Sequence, residues 1–168
     1  MKTKLHTRGR FQVVVNRADG SIKHKIDVPN LVVNEGRAKM LDIMFNGDAQ
    51  IATWYCGLVD NAGFSQIVRS DTMPSHGGWV EFVGYSELNR QEWNPNAAVG
   101  VTVENDVVSL CTFTITGAGT LHGGFITSDN VKGGINGILW AAANFDTGNI
   151  NVIATDVVNI IYSVTAEC

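Results

Sequence analysis

A chain of 168 residues, of which 45% are hydrophobic and 17% charged, has the length and composition of one globular domain, which excludes an intrinsically disordered protein. The formal net charge of −4 hides an asymmetry, because residues 1–42 hold nine of the 12 Lys and Arg residues but only four of the 16 acidic residues. A basic end on an acidic body is typical of a chain that docks on a negatively charged surface, although an ordinary solvated terminus has the same composition.

The basic start of the chain does not favour nucleic acid as that partner, because no aromatic residue lies among the charges of MKTKLHTRGR. The same stretch lacks the apolar core of a secretory signal, and no later apolar run reaches the roughly 20 residues that a membrane helix needs. We therefore expect a protein that is made in the cytoplasm and has no membrane partner.

The three cysteines, Cys56, Cys111 and Cys168, are odd in number and widely spaced, which is not the pattern of a disulfide framework. Free cysteine is among the most buried residue types in proteins. The sequence therefore predicts buried free thiols at Cys56 and Cys111 and an exposed thiol at Cys168.

The predicted elements begin with a flexible basic arm over residues 1–9, and a single domain follows over residues 10–168. At the start of this domain, RFQVVVNRADGSIKHKIDV predicts two strands around a turn at Asp19-Gly20, because both residues tolerate a positive φ angle.

One α-helix is predicted, over about residues 35–46, within NEGRAKMLDIMFNG. Asn34 is the expected N-cap, Glu35 suits the first turn, and Gly47 is a fitting stop just past the last turn. Apolar residues at helical spacing predict a face that fills the core rather than one that binds a partner. This face consists of Met40, Leu41, Met44 and Phe45.

After residue 50 the pattern changes to short strands separated by Gly and Asn. The segment IATWYCGLV is apolar enough for a strand buried on both faces, and a turn at Asn105-Asp106 precedes a long predicted strand. One face of that strand is expected to hold Val108, Leu110, Thr112 and Thr114. Further strands are predicted in WVEFVGYS, LHGGFITS, GILWAAANF and VNIIYSVTAEC, whereas the Gly-rich TGAGTLHGG predicts a turn. This succession predicts an all-β fold, either a β-sandwich or a jelly roll, with one short helix over an edge or an open end.

The stretch DTMPSHGGWVEF is the main candidate for chemistry, because it places Asp71, His76 and Glu81 in one short segment. A metal site with two histidines and one carboxylate needs a second histidine close by, and the other three histidines are scattered along the chain. A nucleophile pair of Cys56 and His76 would need an orienting group and an oxyanion hole that the sequence does not show.

The structural interpretation of the same stretch is a capped turn, and we favour it. Asp71 can accept backbone N–H bonds at the start of the turn, Pro74 fits its first residues, and two glycines release the chain into a strand. The turn signature consists of Asp71, Thr72, His76, Gly78 and Trp79.

No catalytic motif in the sequence supports an enzyme. Phosphate-binding, dinucleotide-binding, zinc-protease and serine-hydrolase motifs are all missing. Glu87, Glu92 and Glu104 could supply a carboxylate pair for glycoside chemistry, but scattered acids on an acidic body are usually solvated. The four tryptophans suit a core or a subunit interface better than a sugar platform. We therefore expect a non-enzymatic protein with no metal and no cofactor.

Five segments within residues 30–165 resemble a group of small virion proteins of tailed bacteriophages. They are NLVVNEGRAKMLDIMF, WYCGLVDNAGFS, DTMPSHGGWVEFVGYSELNRQEW, VKGGINGILWAAANF and VVNIIYSV. The group shows an N-x-[VI]-x-N-x-G opening to a helix, a GL strand, a D-T-M-x-S-H-x-G-W-x-E segment and a K-G-G-x-x-G-x-L loop. The D-T-M-x-S-H part is the most specific of these motifs.

This resemblance implies a β-sandwich or jelly-roll structural component without catalytic residues, similar to the cement or decoration proteins on the outer surface of phage heads. We expect such a protein to form a dimer or trimer that bridges and stabilises subunits of the major capsid protein. The expected contacts with acidic capsid surface are Lys2, Lys4, Arg8 and Arg10. Two alternatives stay open, namely a tail- or fibre-associated structural protein and a receptor- or carbohydrate-binding module of the virion.

Overall fold

Two antiparallel β-sheets pack against each other in the computed structural model, which describes residues 6–145 and 149–167. The predicted all-β class and the β-sandwich with one short helix are confirmed for this part of the chain. The elements in chain order are β1 (His6–Asn16), β2 (Ile22–Pro29), β3 (Leu31–Val32), α1 (Asn34–Phe45), β4 (Trp54–Asp60), β5 (Glu81–Phe82), β6 (Gln91–Trp93), β7 (Thr102–Glu104), β8 (Cys111–Thr114), β9 (Gly119–Thr127), β10 (Leu139–Asn144), β11 (Ile150–Val152) and β12 (Val157–Glu167).

The first sheet, sheet A, has the strand order β2-β1-β12-β7, and β8 also pairs with β12. The second, sheet B, has the order β3-β10-β9-β4-β5, with β11 paired to β9 and β6 paired to β4. The chain passes from one sheet to the other after β2, β6, β8 and β11. Each sheet therefore contains strands from distant parts of the sequence.

The inner core lies between the two sheets, because the alternation of each strand directs one set of side chains inward. On β1, Phe11, Val13 and Val15 are fully buried, while Gln12 between them is exposed. Cys56 of sheet B and Cys111 of sheet A are also fully buried in this core, and the predicted free thiols at these positions are confirmed. Cys168 lies outside the described residues.

A second, smaller core lies on the outer face of sheet B. Residues 61–80, between β4 and β5, cross this face and place Met73 and Trp79 against Val59 and Phe125. Residues 56–59 are consequently buried without alternation, so β4 is the strand with two buried faces that IATWYCGLV predicts.

The first hairpin forms as predicted, but residues 6–9 of the predicted arm belong to a strand. At the turn, Gly20 has a φ angle of 81° and the Asp19 carboxylate accepts the Ser21 N–H at 2.9 Å. β1 begins at His6 and is paired to β12 along its whole length, so residues 6–9 belong to sheet A and are not a flexible arm. The remainder of the predicted arm, with Lys2 and Lys4, lies outside the described residues.

The helix begins at Asn34, and Val33 is its N-cap residue, with no capping hydrogen bond from a side chain. Asn34 is therefore not the N-cap that the sequence predicts. The Glu35 carboxylate accepts the backbone N–H groups of Met73 at 3.3 Å and Leu139 at 2.7 Å, which ties the first turn to the outer segment and to β10. Gly47, with a φ angle of 74°, follows the last turn as predicted.

The apolar face of α1 is largely exposed, contrary to the prediction of a buried face. Met40 packs against the inner core, but Leu41, Met44 and Phe45 are 47%, 60% and 75% exposed. Gly36 is the buried residue of the helix and packs against β10, where a Cβ atom would lie 2.6 Å from the Trp140 carbonyl oxygen. The first turn of the helix is therefore packed on sheet B, while the apolar residues of its last turns are largely exposed.

The strand after Asn105-Asp106 is shorter than predicted. β8 is limited to Cys111–Thr114, and Cys111 and Phe113 are its buried residues. Val108 lies before the strand and is 88% exposed. The Gly-rich TGAGTLHGG is mostly strand, since β9 begins at Gly119, and the short strands β3, β6 and β11 are not predicted at all.

Candidate functional site

The stretch DTMPSHGGWVEF folds as a turn that covers the outer core of sheet B. One oxygen of the buried Asp71 carboxylate accepts the backbone N–H of Val68 and the indole N–H of Trp79, both at 3.0 Å. Thr72 and Ser75 exchange two backbone hydrogen bonds, at 3.0 and 3.1 Å. Asp71 therefore links the two ends of the segment.

His76 lies against Trp79 in this turn, with the ring centroids 4.1 Å apart. Its Nδ1 atom is 3.1 Å from the carbonyl oxygen of Thr72, a hydrogen bond that requires the proton on Nδ1. Cys56 belongs to the inner core and Trp79 to the outer core, so sheet B separates Cys56 from His76. The two residues do not form a nucleophile pair.

Gly78 occupies a position that leaves no room for a side chain, because a Cβ atom would lie 2.3 Å from the Gln66 carbonyl oxygen. The Gly78 carbonyl oxygen in turn accepts the Ser65 N–H at 2.8 Å. The chain before the turn is thus held against the chain that leaves it.

A buried arginine that the sequence does not single out holds the end of this segment. The Arg90 side chain is fully buried and binds both oxygens of the Glu81 carboxylate, through Nη2 at 2.8 Å and Nε at 3.1 Å. Its Nη1 donates to the Asp129 carbonyl oxygen at 2.9 Å, and its Nη2 also donates to the Gly134 carbonyl oxygen. A guanidinium group is stable in a protein interior only when it is paired in this way.

The K-G-G-x-x-G-x-L loop is held at the same place. The Lys132 ammonium donates to the carbonyl oxygens of Tyr85 at 3.0 Å and Glu87 at 2.7 Å, and the Gly133 N–H donates to the Glu81 carboxylate at 2.7 Å. Burial, followed by the nearby charge of Glu81, raises the pKa of the Tyr85 hydroxyl. The two motifs of the phage resemblance therefore meet at Glu81 and enclose a cavity of about 200 Å³.

The described residues contain no group of three His, Cys, Asp or Glu side chains that is close enough to hold a metal ion. Glu87 accepts the Thr114 N–H with both carboxylate oxygens, at 3.0 Å each, while Glu92 and Glu104 are exposed on strands of different sheets. Among residues 6–145 and 149–167, no helix has the length and apolar character to cross a membrane.

A cleft of about 800 Å³ opens between the start of β1, the end of β12 and α1, and four arginines line it. They are Arg8, Arg10, Arg37 and Arg69. Arg8 lies 3.1 Å from the Glu167 carboxylate and Arg10 pairs with Asp27, but the two arginine side chains are 74% and 51% exposed. Ion pairs this exposed are weak, so both guanidinium groups can exchange their partners for others.

An apolar groove of about 250 Å³ borders α1 as well. Its lining comes from the helix, from both sheets and from the chain after the helix, and includes Met40, Ile43, Met44, Ile51, Trp54, Trp93, Val103, Trp140 and Val164. The indole N–H groups of Trp93 and Trp140 are bonded to Tyr162, at its carbonyl oxygen and its hydroxyl respectively. These bonds fix both rings in the groove, which Met44 lines while it is still exposed, and the next residue, Phe45, is exposed as well.

The cleft and the groove both border α1 and the end of β12. Gly36 and Val164 line the groove, and the residues that follow them, Arg37 and Thr165, line the cleft. We use the name helix face for the four arginines, the groove, and the exposed Met44 and Phe45. The sequence predicts Arg8 and Arg10 as contact residues, but it misses Arg37 and Arg69, which only the fold brings to the same cleft.

None of the protein-family models, curated proteins or solved structures compared with this chain matches it.

Proposed function

We propose that the protein is a non-enzymatic structural protein of a phage virion, and that it acts as a cement or decoration protein on the outer surface of the head. The observation that carries this proposal is the helix face, where an arginine-lined cleft adjoins an apolar groove on a β-sandwich. The motifs that resemble tailed-phage virion proteins support the choice of a phage particle as the assembly.

Charge favours an acidic partner for this face. After residue 42 the chain has only three basic residues, of which Arg69 lies in the cleft, Arg90 is buried, and Lys132 is bonded to carbonyl oxygens. Arginines in the cleft would form charge-assisted hydrogen bonds with carboxylates of the major capsid protein. Weak single contacts are sufficient on a symmetric shell, because many copies bind at once.

The exposed apolar residues favour a second contact, with another copy of this chain. Met44 and Phe45 project beside a groove that is itself apolar, and contact between two copies would remove both from water. A dimer or trimer assembled in this way would bridge neighbouring capsid subunits and stabilise the shell.

Charge reversal tests the cleft. We expect the double variant R8E/R10E to bind purified heads that lack the protein at least about tenfold more weakly than the unmodified chain, in a co-sedimentation assay. The matched control is K25E, which reverses an exposed charge on the same sheet but outside the cleft. Equal binding by R8E/R10E and K25E, with unchanged melting temperatures, would contradict the role of the cleft.

Deletion tests the two lysines that precede β1. Removal of residues 1–5 keeps every described residue of β1, whereas removal of residues 1–9 would shorten the described strand. We expect the shorter deletion to weaken capsid binding in the same assay if Lys2 and Lys4 contribute.

Copy number separates the proposal from its alternatives. Quantitative mass spectrometry of purified virions, referenced to the major capsid protein, should give hundreds of copies for a cement protein. A dozen or fewer would favour a tail- or fibre-associated protein. In that case a glycan array or a host-cell binding assay would test the receptor- or carbohydrate-binding alternative.

A further inference from the structure

Two cysteines face each other across the sandwich. Cys56 lies on β4 of sheet B and Cys111 on β8 of sheet A, and both side chains are 0% exposed within the inner core. The Cys111 thiol lies 3.4 Å from the carbonyl oxygen of Glu92, whose backbone pairs with Tyr55, the residue before Cys56. The chain thus places the two thiols at the same level of opposite sheets.

Both cysteines also contact the same short strand. Cys56 pairs through its backbone with Gln91 of β6, and the Cys111 thiol donates to the carbonyl oxygen of the next residue, Glu92. Burial, followed by the presence of Cys111, raises the pKa of the Cys56 thiol well above its usual value. Two buried thiols that share one neighbouring strand need only a small local movement to reach the geometry of a disulfide.

We propose that Cys56 and Cys111 are a site of covalent modification, where an inter-sheet disulfide forms when the protein moves from a reducing to an oxidising environment. The bond would connect β4 and β8, which belong to different sheets and share no backbone pairing. It does not depend on the function proposed above, but it would suit a chain that folds in a reducing cytoplasm and then works outside the cell.

Oxidised glutathione is a suitable oxidant, because its disulfide accepts the two electrons that the two cysteines lose. One protein thiolate attacks a glutathione sulfur, forms a mixed disulfide and displaces the first glutathione thiolate. The second protein thiolate then attacks the protein sulfur of that mixed disulfide and displaces the second glutathione. The protein loses two protons and two electrons, and the disulfide of glutathione is reduced to two thiols.

Burial should make this reaction slow in the closed sandwich. The reacting species is the thiolate, and both solvent exclusion and a raised pKa keep its population low. Oxidation therefore requires a transient opening of the sandwich, and urea below the unfolding midpoint should accelerate it at least about tenfold.

The experiment uses the full chain with C168S, so that the terminal thiol takes no part. The protein is incubated with oxidised or reduced glutathione, with and without low urea, then denatured, alkylated and analysed by mass spectrometry. We expect a product about 2 Da lighter before alkylation, no alkylation at either core cysteine, and a peptide linked between Cys56 and Cys111. The urea midpoint of the product should rise, and dithiothreitol should reverse the shift.

The single variants C56S and C111S, each combined with C168S, are the matched controls. They should give glutathione adducts or free thiols but no linked peptide. The proposal is overturned if both core thiols of the C168S chain stay alkylatable after oxidation in low urea, or if they carry only separate glutathione adducts. Because the C168S chain leaves the core unchanged, neither outcome can be attributed to a failure to fold.

Discussion

Around Arg90, the charged groups of Arg90, Glu81 and Lys132 are bonded to one another or to backbone carbonyls, whereas on the helix face Met44 and Phe45 are 60% and 75% exposed. The Arg90 region contains the motifs with the most unusual residues, D-T-M-x-S-H-x-G-W-x-E and K-G-G-x-x-G. The helix face is built from what the sequence presents as an ordinary amphipathic helix.

The difference shows that unusual residues in this chain stabilise the fold, while the surface suited to binding has an ordinary composition. Asp71, His76 and Glu81 attract attention as a catalytic group, yet Asp71 and His76 are engaged within their own turn and Glu81 is paired with Arg90. A buried apolar side chain and an exposed one look the same in a sequence. Only the position of α1 relative to sheet B distinguishes them.

The largest effect is expected from Arg90→Met, which would break the paired region. Removal of the guanidinium leaves the largely buried Glu81 carboxylate without its partner, and we expect a loss of about 3–5 kcal/mol in the free energy of unfolding. Urea unfolding followed by tryptophan fluorescence measures this loss. The control is Arg8→Met, an exposed arginine that should cost less than about 0.5 kcal/mol. Equal stability of the two variants would contradict a structural role for Arg90.

Gly36→Ala tests how α1 is held on the sheet. The added methyl group would meet backbone atoms of Trp140 at 2.6 and 2.7 Å, so the helix has to move away from β10. We expect the free energy of unfolding to fall by about 2–3 kcal/mol, which is in the upper part of the usual range for overpacking. Gly77→Ala is the matched control, because a Cβ atom there meets nothing within 4 Å. A difference of less than about 0.5 kcal/mol between the two variants would show that the helix position is adaptable.

An intermediate effect on stability is expected at Asp156. Its ion pair with Lys23 belongs neither to the Arg90 region nor to the helix face. Its carboxylate binds the Lys23 ammonium at 2.7 Å and the Ile153 N–H at 3.0 Å. Burial acts to raise the pKa of Asp156, but these hydrogen bonds and the charge of Lys23 outweigh it, so the pKa is lowered. The stabilisation is therefore complete above the unfolded pKa of about 3.9 and is lost as the pH falls through the folded value.

Asp156→Asn should remove this pH-dependent contribution. We expect the free energy of unfolding to fall by about 1–2 kcal/mol at pH 7. The difference from the unmodified chain should be smaller in acid, because Asp156 of the unmodified chain is then protonated and has lost its charge. Urea unfolding at several pH values between about 2 and 7 measures the free energy of unfolding of both proteins as a function of pH. A difference between the two proteins that stays constant over this range would contradict a lowered pKa of Asp156.

The smallest effect on stability is expected for the double variant M44S/F45S on the helix face. Both side chains are exposed, so the free energy of unfolding should change by less than about 0.5 kcal/mol. Self-association, measured by analytical ultracentrifugation, should weaken because the apolar contact is lost. Unchanged association would assign the oligomer to another surface, and a large loss of stability would show that these residues belong to the core.

Local sequence patterns were sufficient for much of the fold. The turn at Gly20, the doubly buried strand around residues 56–59 and the glycine that follows α1 at position 47 all agree with short-range rules of φ angle and alternation. Strands of two or three residues, such as β3 and β6, have too few side chains for alternation to be recognised.

Long-range packing accounts for what the sequence could not predict. Arg90 reaches its partners only after β5, β6 and the 129–134 loop have come together, and no spacing rule connects them. Arg37 and Arg69 share a cleft with Arg8 for the same reason. The exposed face of α1 was predicted as core because its period is that of a buried helix, and its position on the sheet depends on Gly36.

The strand β12 has a consequence for the order of folding. It pairs with β1, β7 and β8, so the centre of sheet A joins residues that lie far apart in the sequence, such as His6 and Glu167. Until residues 157–167 have been made, the apolar side chains of β1 and β8 have no completed sheet to bury them. We expect folding to be slow for a domain of this size, because the pairing of β1 with β12 closes a very long loop.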